Sequence, residues 1–338
     1  MSNSPRRSVV LRNRPTAEPD IADFAIIEDD VPTPGPGEVV TRAIFLSIDP
    51  YQRGRIADRK SYAPPVQIGE VMTGETIGEV VASGDPAFKP GDIASGARGW
   101  QTHTVSQASS LTRHDRDGTP LGAYLGVLGM PGTTAYSGMK DIGQVRAGET
   151  VVISAASGAV GSVAGQLAKR AGARVIGIAG GPDKSLFVQE VLGFDGCIDH
   201  RSADLAMQLA DACPNGIDVY FENVGGTVQE SVWPLLNPFG RMIMCGMVAQ
   251  YSDPSPPPGP NLGTVVGRRL RIEGLIVSDK PERFAEWRAL AAPWVKDGSL
   301  HYRETVIDGL DNAAEAFCML LQGGNFGKML VRVGADPA

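Results

Sequence analysis

The stretch with the clearest chemistry is Val151-Val-Ile-Ser-Ala-Ala-Ser-Gly-Ala-Val-Gly161. A short apolar run enters a glycine turn, and behind the turn Val160, Val163, Ala164, Leu167 and Ala168 recur at helical spacing over Gly158–Ala171. Strand, glycine turn and helix in that order form the context of a dinucleotide fingerprint, here Ala156-x-Gly158-x-x-Gly161 with Ala in the first position. Gly158 lets the backbone approach a pyrophosphate, and Gly161 lets the helix close on the strand. The helix N-terminus adds free N–H groups and a positive dipole end. The turn at Gly158 is therefore the expected pyrophosphate cradle.

A second feature is a missing acid. A nucleotide site that selects NAD places Asp or Glu at the end of the next strand, for the ribose 2′-OH. Here Arg174–Ala179 runs into Gly180-Gly-Pro-Asp-Lys184. Ala179 and Gly180 do not repel a 2′-phosphate, and Lys184 can pair with one as a point charge. Asp183 stands where a helix N-cap is expected. The expected cofactor is NADP(H).

The third feature concerns metal and proton chemistry. Residues 1–125 hold no cysteine and only His103 and His114, so a Cys/His/Glu zinc set is not expected there. Hydride transfer to a carbonyl without a Lewis acid needs a strong proton donor near the oxygen. Addition to an activated C=C is less demanding, because charge develops on an enolate oxygen that a hydroxyl can hold. Of the seven tyrosines, Tyr136 and Tyr220 fall in a helix and a core strand and read as packing. Tyr62, in the loop Lys60-Ser-Tyr-Ala-Pro-Pro65, and Tyr251, ahead of a proline run, stay open as the donor or as substrate-wall aromatics.

Two kinds of element must position these residues. Residues 1–125 are dense in turns, such as Pro32-Thr-Pro-Gly-Pro-Gly37 and Lys89-Pro-Gly-Asp92, between the β-type runs Glu38–Ile44, Glu75–Val81 and Thr102–Val105. That texture predicts an all-β, barrel-like region. From about residue 146 strands and helices alternate: strands at Thr150–Ser154, Arg174–Ala179, Cys197–Asp199, Asp218–Glu222, Arg241–Gly246 and Leu270–Val277, helices at Asp183–Leu192, Ala203–Ala212 and Pro281–Lys296. Alternation predicts a doubly wound parallel sheet. Thr305–Ile307 and Gly327–Val333 return to β-structure, so the expected domains are 1–125 with 300–338, and 126–299. The cluster Pro254-Ser-Pro-Pro-Pro-Gly-Pro260 reads as a stiff surface loop.

Composition bounds the partners. Apolar residues are 42% of 338, enough for a buried core, and 31 basic against 38 acidic side chains leave a net charge of −7. A chain this acidic is a poor binder of nucleic acid or anionic membranes. The N-terminus Met1-Ser-Asn-Ser-Pro-Arg-Arg7 has no apolar segment behind it, and no leader or membrane span is expected. Cys197, Cys213, Cys245 and Cys318 show no C-x-x-C spacing and fit a reducing cytoplasm.

Five further motifs, spread from residue 49 to 328, carry a family resemblance: Asp49-Pro-Tyr-Gln-Arg53, Met130-Pro-Gly-Thr-Thr-Ala-Tyr136, Ala155-Ala-Ser-Gly-Ala-Val-Gly-Ser162, Phe221-Glu-Asn-Val-Gly-Gly226 and Gly324-Asn-Phe-Gly-Lys328. With them the chain resembles the medium-chain dehydrogenases/reductases, in the zinc-independent prostaglandin/2-alkenal (double-bond, curcumin-type) reductase group. The resemblance implies an α/β architecture, a GroES-like β-barrel catalytic domain plus a Rossmann domain. It implies NADPH-dependent reduction of the C=C bond of α,β-unsaturated ketones and aldehydes by hydride transfer to the β-carbon, on a small lipophilic enone or alkenal. It places Ala156, Gly158, Ala159 and Val160 at the pyrophosphate, Met130 and Thr134 beside the nicotinamide and Lys184 at the 2′-phosphate. Asn223 falls at the adenosine–ribose edge, and Cys245 and Tyr251 at the nicotinamide ribose and phosphate. Ile276 and Val277 meet the carboxamide, and Asn325 reaches the cofactor from the returning tail. It also implies a homodimer joined through the strand at Leu270–Val277. Tyr51, Arg53 and Tyr62 are the candidate substrate residues, with Arg53 and Arg55 open between a substrate carboxylate and a structural ion pair.

Two departures stand out. The family's tyrosine at the 2′-phosphate is replaced by His200 in Ile198-Asp-His-Arg201, so imidazole or Arg201 would serve there and a pH-dependent or weaker NADPH preference follows. A family tyrosine near Val266-Gly-Arg268, sometimes given the proton-donor role, has no counterpart. The alternatives are an NADPH quinone oxidoreductase of the same fold and a non-catalytic NADPH-binding sensor or structural protein.

Overall fold

The computed structural model describes residues 5–253, 255 and 258–336. Residues 1–4 of the N-terminal reading and Pro254, Pro256 and Pro257 of the proline-cluster reading lie outside these residues. The chain forms two compact units, Met1–Leu125 with Glu304–Ala338, and Gly126–Arg303.

The first unit begins with β1 (Arg6–Leu11) and β2 (Phe24–Asp29), an antiparallel pair. β3 (Glu38–Ile48) is its long central strand. It pairs antiparallel with β4 (Glu75–Ser83) on one side, which leads on to β5 (Ile93–Ala97) and β7 (Thr112–His114), and it also pairs with β6 (His103–Gln107). Between β3 and β4 the chain makes one helical turn, α1 (Gln52–Arg55), with Tyr51 at its N-cap.

The second unit opens with α2 (Met130–Ser137) and then alternates. β8 (Thr150–Ser154) leads to α3 (Gly161–Arg170), β9 (Arg174–Ala179) to α4 (Pro182–Glu190), and β10 (Gly196–Asp199) to α5 (Leu205–Ala212). β11 (Ile217–Glu222), α6 (Gly226–Val232), β12 (Leu236–Met244), α7 (Gly263–Arg268), β13 (Arg271–Gly274) and α8 (Glu282–Lys296) complete it. The six strands run parallel in the order β10-β9-β8-β11-β12-β13. This is the doubly wound Rossmann order, and its direction of winding switches between β8 and β11. Val152, Ile176, Tyr220 and Met242 lie on that sheet within one buried cluster. Continuous burial of β8 on both faces explains its unalternating sequence.

The tail returns to the first unit. β14 (Glu304–Asp308) pairs parallel with β15 (Lys328–Arg332), and β15 lies antiparallel to β3. α9 (Ala313–Leu321) joins them and sends Phe317 into the core, where it meets Phe24 and Trp100 edge-on at ring centroids 6.1 and 5.7 Å apart. The α/β class with a GroES-like unit and a Rossmann unit agrees with the sequence reading.

Several elements differ from expectation. The helix after the glycine turn starts at Gly161, not Gly158, because the motif residues are spent on the turn itself. The strand expected at Arg241–Gly246 runs over Leu236–Met244, and the one expected at Leu270–Val277 is only Arg271–Gly274. α4 is capped by Gly181, with Asp183 inside the first turn. Pro182 explains this, since its fixed φ and missing N–H suit the first helical position and put the cap at Gly181, two residues before Asp183.

Candidate functional site in the Rossmann unit and its counterpart loops

The glycine turn is built on one unusual residue. Ala155 has φ +49°, the left-handed region that a side chain seldom adopts. This folds the Ala155 carbonyl back across the start of α3. It accepts the Gly158 N–H at 2.9 Å, and a Cβ on Gly161 would stand 2.3 Å from it. Gly161 is therefore required by the turn. Ala156 is fully buried beneath, while Gly158, Ala159 and Val160 are half-buried at the mouth. In the first turn of α3 the Ser162 N–H donates to the Gly158 carbonyl at 3.0 Å, and the helix start behind the turn brings the positive dipole end that favours a phosphate.

At the winding switch, Ser154 at the end of β8 is tied to the end of β11. Asn223 donates its N–H to Ser154 Oγ and its Nδ2 to the Ser154 carbonyl, both at 2.8 Å. Glu222 is fully buried, and its Oε1 accepts the Val224 N–H at 2.7 Å, the Gly225 N–H at 3.0 Å and the Ser154 hydroxyl at 3.1 Å. Sequence reasoning missed Glu222. Its one available signal was an acid ending an apolar strand directly before Asn-Val-Gly-Gly. Cys245 and Gly246 donate their N–H groups to the Glu222 carbonyl at 3.0 Å. Burial and the Glu222 carboxylate push the Cys245 thiol up to about 12, away from the thiolate form. The Tyr251 hydroxyl accepts the Met247 N–H at 3.3 Å, within its own loop.

Beyond β9 the expected cationic end is present. Lys184 lies in the first turn of α4. A Cβ on Gly180 would stand 2.7 Å from His200 Nε2 and 2.9 Å from Arg201 Nη2, so both side chains bend over the glycine pair. Burial and Arg201 hold Lys184 below its usual range. Burial also holds His200 down; Asp199 opposes this, while Arg201 and Lys184 add to it. The turn and the cationic end together suit a dinucleotide bearing an extra phosphate.

The remaining expected residues fall as follows. In α2, Thr134 Oγ1 donates to the Met130 carbonyl at 2.8 Å; Trp287 Nε1 steadies the helix entry by donating to the Val127 carbonyl at 2.7 Å. Ile276 and Val277 are half-buried just past β13, and their carbonyls accept the N–H groups of Asp279 and Lys280. In the first unit, Asn325 Nδ2 donates to the Gly327 carbonyl at 2.7 Å.

The first unit also gathers the substrate candidates. Burial, with Asp49 and Glu75, raises the Tyr51 hydroxyl well above its usual range, and Arg55 opposes this. Tyr62 is 62% exposed on its loop and also feels Arg55. A cavity of about 490 Å³ has Arg55, Pro64, Val66, Met72, Thr73 and Arg98 in its wall. Arg98, which sequence reasoning missed, is 7% exposed, and burial lowers it to about 10. Arg53 differs from its companions: it is 4% exposed and donates Nη2 to the Ala17 carbonyl at 2.7 Å. α1 turns this side chain inward, onto a carbonyl 36 positions earlier in the chain.

The family model described as N-terminal domain of oxidoreductase matches residues 7–113, and the one described as zinc-binding dehydrogenase matches residues 159–296. Among the described residues no group of three or more His, Cys, Asp or Glu is placed to hold a metal ion, so the donor set does not fit zinc. The chain is 48% identical to the NADPH-dependent curcumin reductase of Escherichia coli (strain K12) over 98% of this chain and 97% of that one. It is 37% identical to the 2-alkenal reductase (NADP(+)-dependent) of Nicotiana tabacum, over 98% of each. Among solved structures, CurA from Vibrio vulnificus in complex with NADPH superposes with a TM-score of 0.93 at 46% identity, covering 98% of this chain and all of that one.

Proposed function

We propose, since the chain belongs to the zinc-independent double-bond reductase group of the medium-chain dehydrogenases/reductases, that it is an NADPH-dependent reductase of the C=C bond of lipophilic enones and 2-alkenals. The observation that carries the reading is the pairing of two features in one unit. The left-handed Ala155 turn closes on Gly161, and a cationic end occupies the place where an NAD-selecting acid would stand.

NADPH supplies, when bound, the hydride that adds to the β-carbon. The chain's residues bind and orient. Ala156, Gly158, Ala159 and Val160 form the pyrophosphate turn, while Lys184 and His200 take the 2′-phosphate. Asn223, locked to Ser154, borders the adenosine ribose. Met130, Thr134, Cys245, Tyr251, Ile276, Val277 and Asn325 line the nicotinamide half. Tyr51 and Tyr62 contact the substrate. A hydroxyl, from Tyr62, Tyr251 or the cofactor ribose, holds the enolate oxygen, and the α-carbon takes its proton from solvent or from the tyrosine, which solvent then reprotonates. No step passes through a metal.

The exposed edge strand β13, with Ile272 at 37% exposure, supports a homodimer joined edge to edge. Four free cysteines support a reducing, cytoplasmic setting. No described helix is long and apolar enough to cross a membrane.

The test is NADPH oxidation against a panel of 2-alkenals, enones and quinones, with mass spectrometry of the products. The reading requires products two hydrogens heavier at the C=C bond. Turnover with quinones alone shifts the assignment to a quinone oxidoreductase. Tight NADPH binding without turnover across the panel shifts it to a sensor or structural protein.

A further inference from the structure

The cavity of the first unit has a buried guanidinium in its wall that the chemistry described so far does not use. Arg98 follows directly on β5, in Gly96-Ala-Arg98-Gly99. The turn it begins is fastened to the residue before β4, because the Arg98 and Gly99 N–H groups both donate to the Gly74 carbonyl at 2.9 Å. Gly99 has φ +77°, and a Cβ there would stand 2.8 Å from the Met72 carbonyl, so this turn closes only over a glycine. The Arg98 side chain folds back across Gly96, where a Cβ would stand 2.7 Å from the guanidinium carbon. Its Nη2 donates to the Ser110 carbonyl at 3.1 Å, its Nη1 approaches the Ser110 hydroxyl at 3.5 Å, and its Nε has no hydrogen-bond partner. Both of these acceptors are neutral. Among the described residues no ion pair offsets the Arg98 charge, and Glu75 bears on it from farther away. A cation taken this far from water is stabilised by an anion that enters beside it.

The cavity, about 490 Å³, has the size of a small-molecule site. Its charged lining is Arg55 and Arg98 against Glu70, an excess of one positive charge. Arg55 Nε donates to the Pro64 carbonyl at 2.9 Å, and Glu70 Oε2 accepts the Gln67 N–H at 2.8 Å, so both are partly engaged in holding their own loop. Pro65, Val71 and Met72 supply apolar wall. One surplus positive charge beside apolar surface suits an alkyl chain ending in a carboxylate, a monoanion that a guanidinium fork matches. Arg55 is also the cation that bears on the Tyr51 and Tyr62 hydroxyls. The cavity therefore adjoins the two tyrosines assigned above to the substrate.

We propose that Arg98 is a specificity-determining residue that holds the carboxylate of an enone or alkenal substrate with an acidic tail, the tail lying along this cavity. The inference rests on the double-bond reductase reading above and deepens it, by naming the class of substrate. The contact is a charge-assisted hydrogen bond in a largely desolvated wall, which makes it stronger than a neutral one. A methyl ester keeps the apolar tail and deletes the charge, so acid against ester isolates this contact.

The experiment uses the full chain and a series of methyl enones with a terminal carboxylate on tails of increasing length, each paired with its methyl ester. NADPH oxidation gives kcat/KM for every member. At the best tail length the acid should exceed its ester about tenfold or more, in KM rather than kcat, the scale of one charge-assisted hydrogen bond. In Arg98→Met the acid-to-ester ratio should fall to about one or below, and Arg98→Lys, which keeps a point charge without the fork, should recover part of it. Calorimetric titration of the saturated keto acids and their esters repeats the comparison without turnover. The inference is overturned if the unaltered chain prefers the acid at no tail length, an outcome that needs no variant to fold, or if the preference survives in Arg98→Met. If neither acid nor ester is reduced while the saturated keto acid still binds through Arg98, the reductase reading fails and the carboxylate site stands, so the two failures are distinguishable.

Discussion

Lys328 offers the sharpest test of the packing account. It is 3% exposed, and its ammonium donates to the Ile48 carbonyl at 2.7 Å, the Met329 carbonyl at 2.9 Å and Asp49 Oδ1 at 3.0 Å. Asp49 is 5% exposed, and its other oxygen accepts the Ser47 hydroxyl. The pair holds the entry to the Tyr51 turn, because the Asp49 N–H donates to Gln52 Oε1, and Gln52 in turn bridges the Ser47 and Thr73 carbonyls. Lys328→Met keeps the stem's volume and deletes the charge, which strands a buried carboxylate at a cost of about 3–5 kcal/mol. For a unit of this size each kcal/mol moves the midpoint by about 2–4 °C, so the first unit should melt roughly 6–20 °C earlier. Asp49→Asn combined with Lys328→Met should recover much of that loss, since no uncompensated charge remains. The assay is thermal unfolding by circular dichroism, with binding of adenosine 2′,5′-bisphosphate as a control for the Rossmann unit. A shift under about 2 °C, or a double variant no more stable than the single, refutes the reasoning.

Three other expectations follow from the same geometry. Gly161→Ala should cost about 1–3 kcal/mol and weaken nucleotide binding, because its Cβ meets a backbone carbonyl that cannot swing aside; Gly158→Ala, whose Cβ would stand 3.1 Å from the same oxygen, should fold nearly normally. Of Tyr62→Phe and Tyr251→Phe, the one that removes the proton donor should lower kcat by about 10²–10⁴ with little change in KM, and the other should leave kcat nearly intact in steady-state assays. Glu304 is raised above its usual carboxyl range by burial, with Lys328 opposing. The folded state therefore binds more protons than the unfolded state just above pH 4.5, so this group's contribution to stability falls as pH rises through that window. Glu304→Gln should flatten that part of a stability–pH profile measured by urea unfolding.

What was legible in the sequence was what neighbouring residues decide among themselves. The β8 run, the glycine turn and the apolar stripe of α3 are local statements, and each kept its place. The lack of an acid after β9 was equally local, and the cationic end stands where that gap pointed. The details that escaped depend on partners far along the chain. Arg53 reads as open between a substrate carboxylate and a structural ion pair, and it is buried against the carbonyl of Ala17, 36 positions away. Glu222 reads as a strand-end acid, and its work as an acceptor for Ser154, 68 positions earlier, exists only once β8 and β11 are adjacent. The Lys328–Asp49 pair spans 279 positions and has no local signature at all. His200 shows the intermediate case: the substitution was visible, and so was Arg201 beside it. That both bend over the same glycine pair required Asp199 to reach back across β9 and accept the Gly181 N–H, 18 positions earlier, a contact with no local signal.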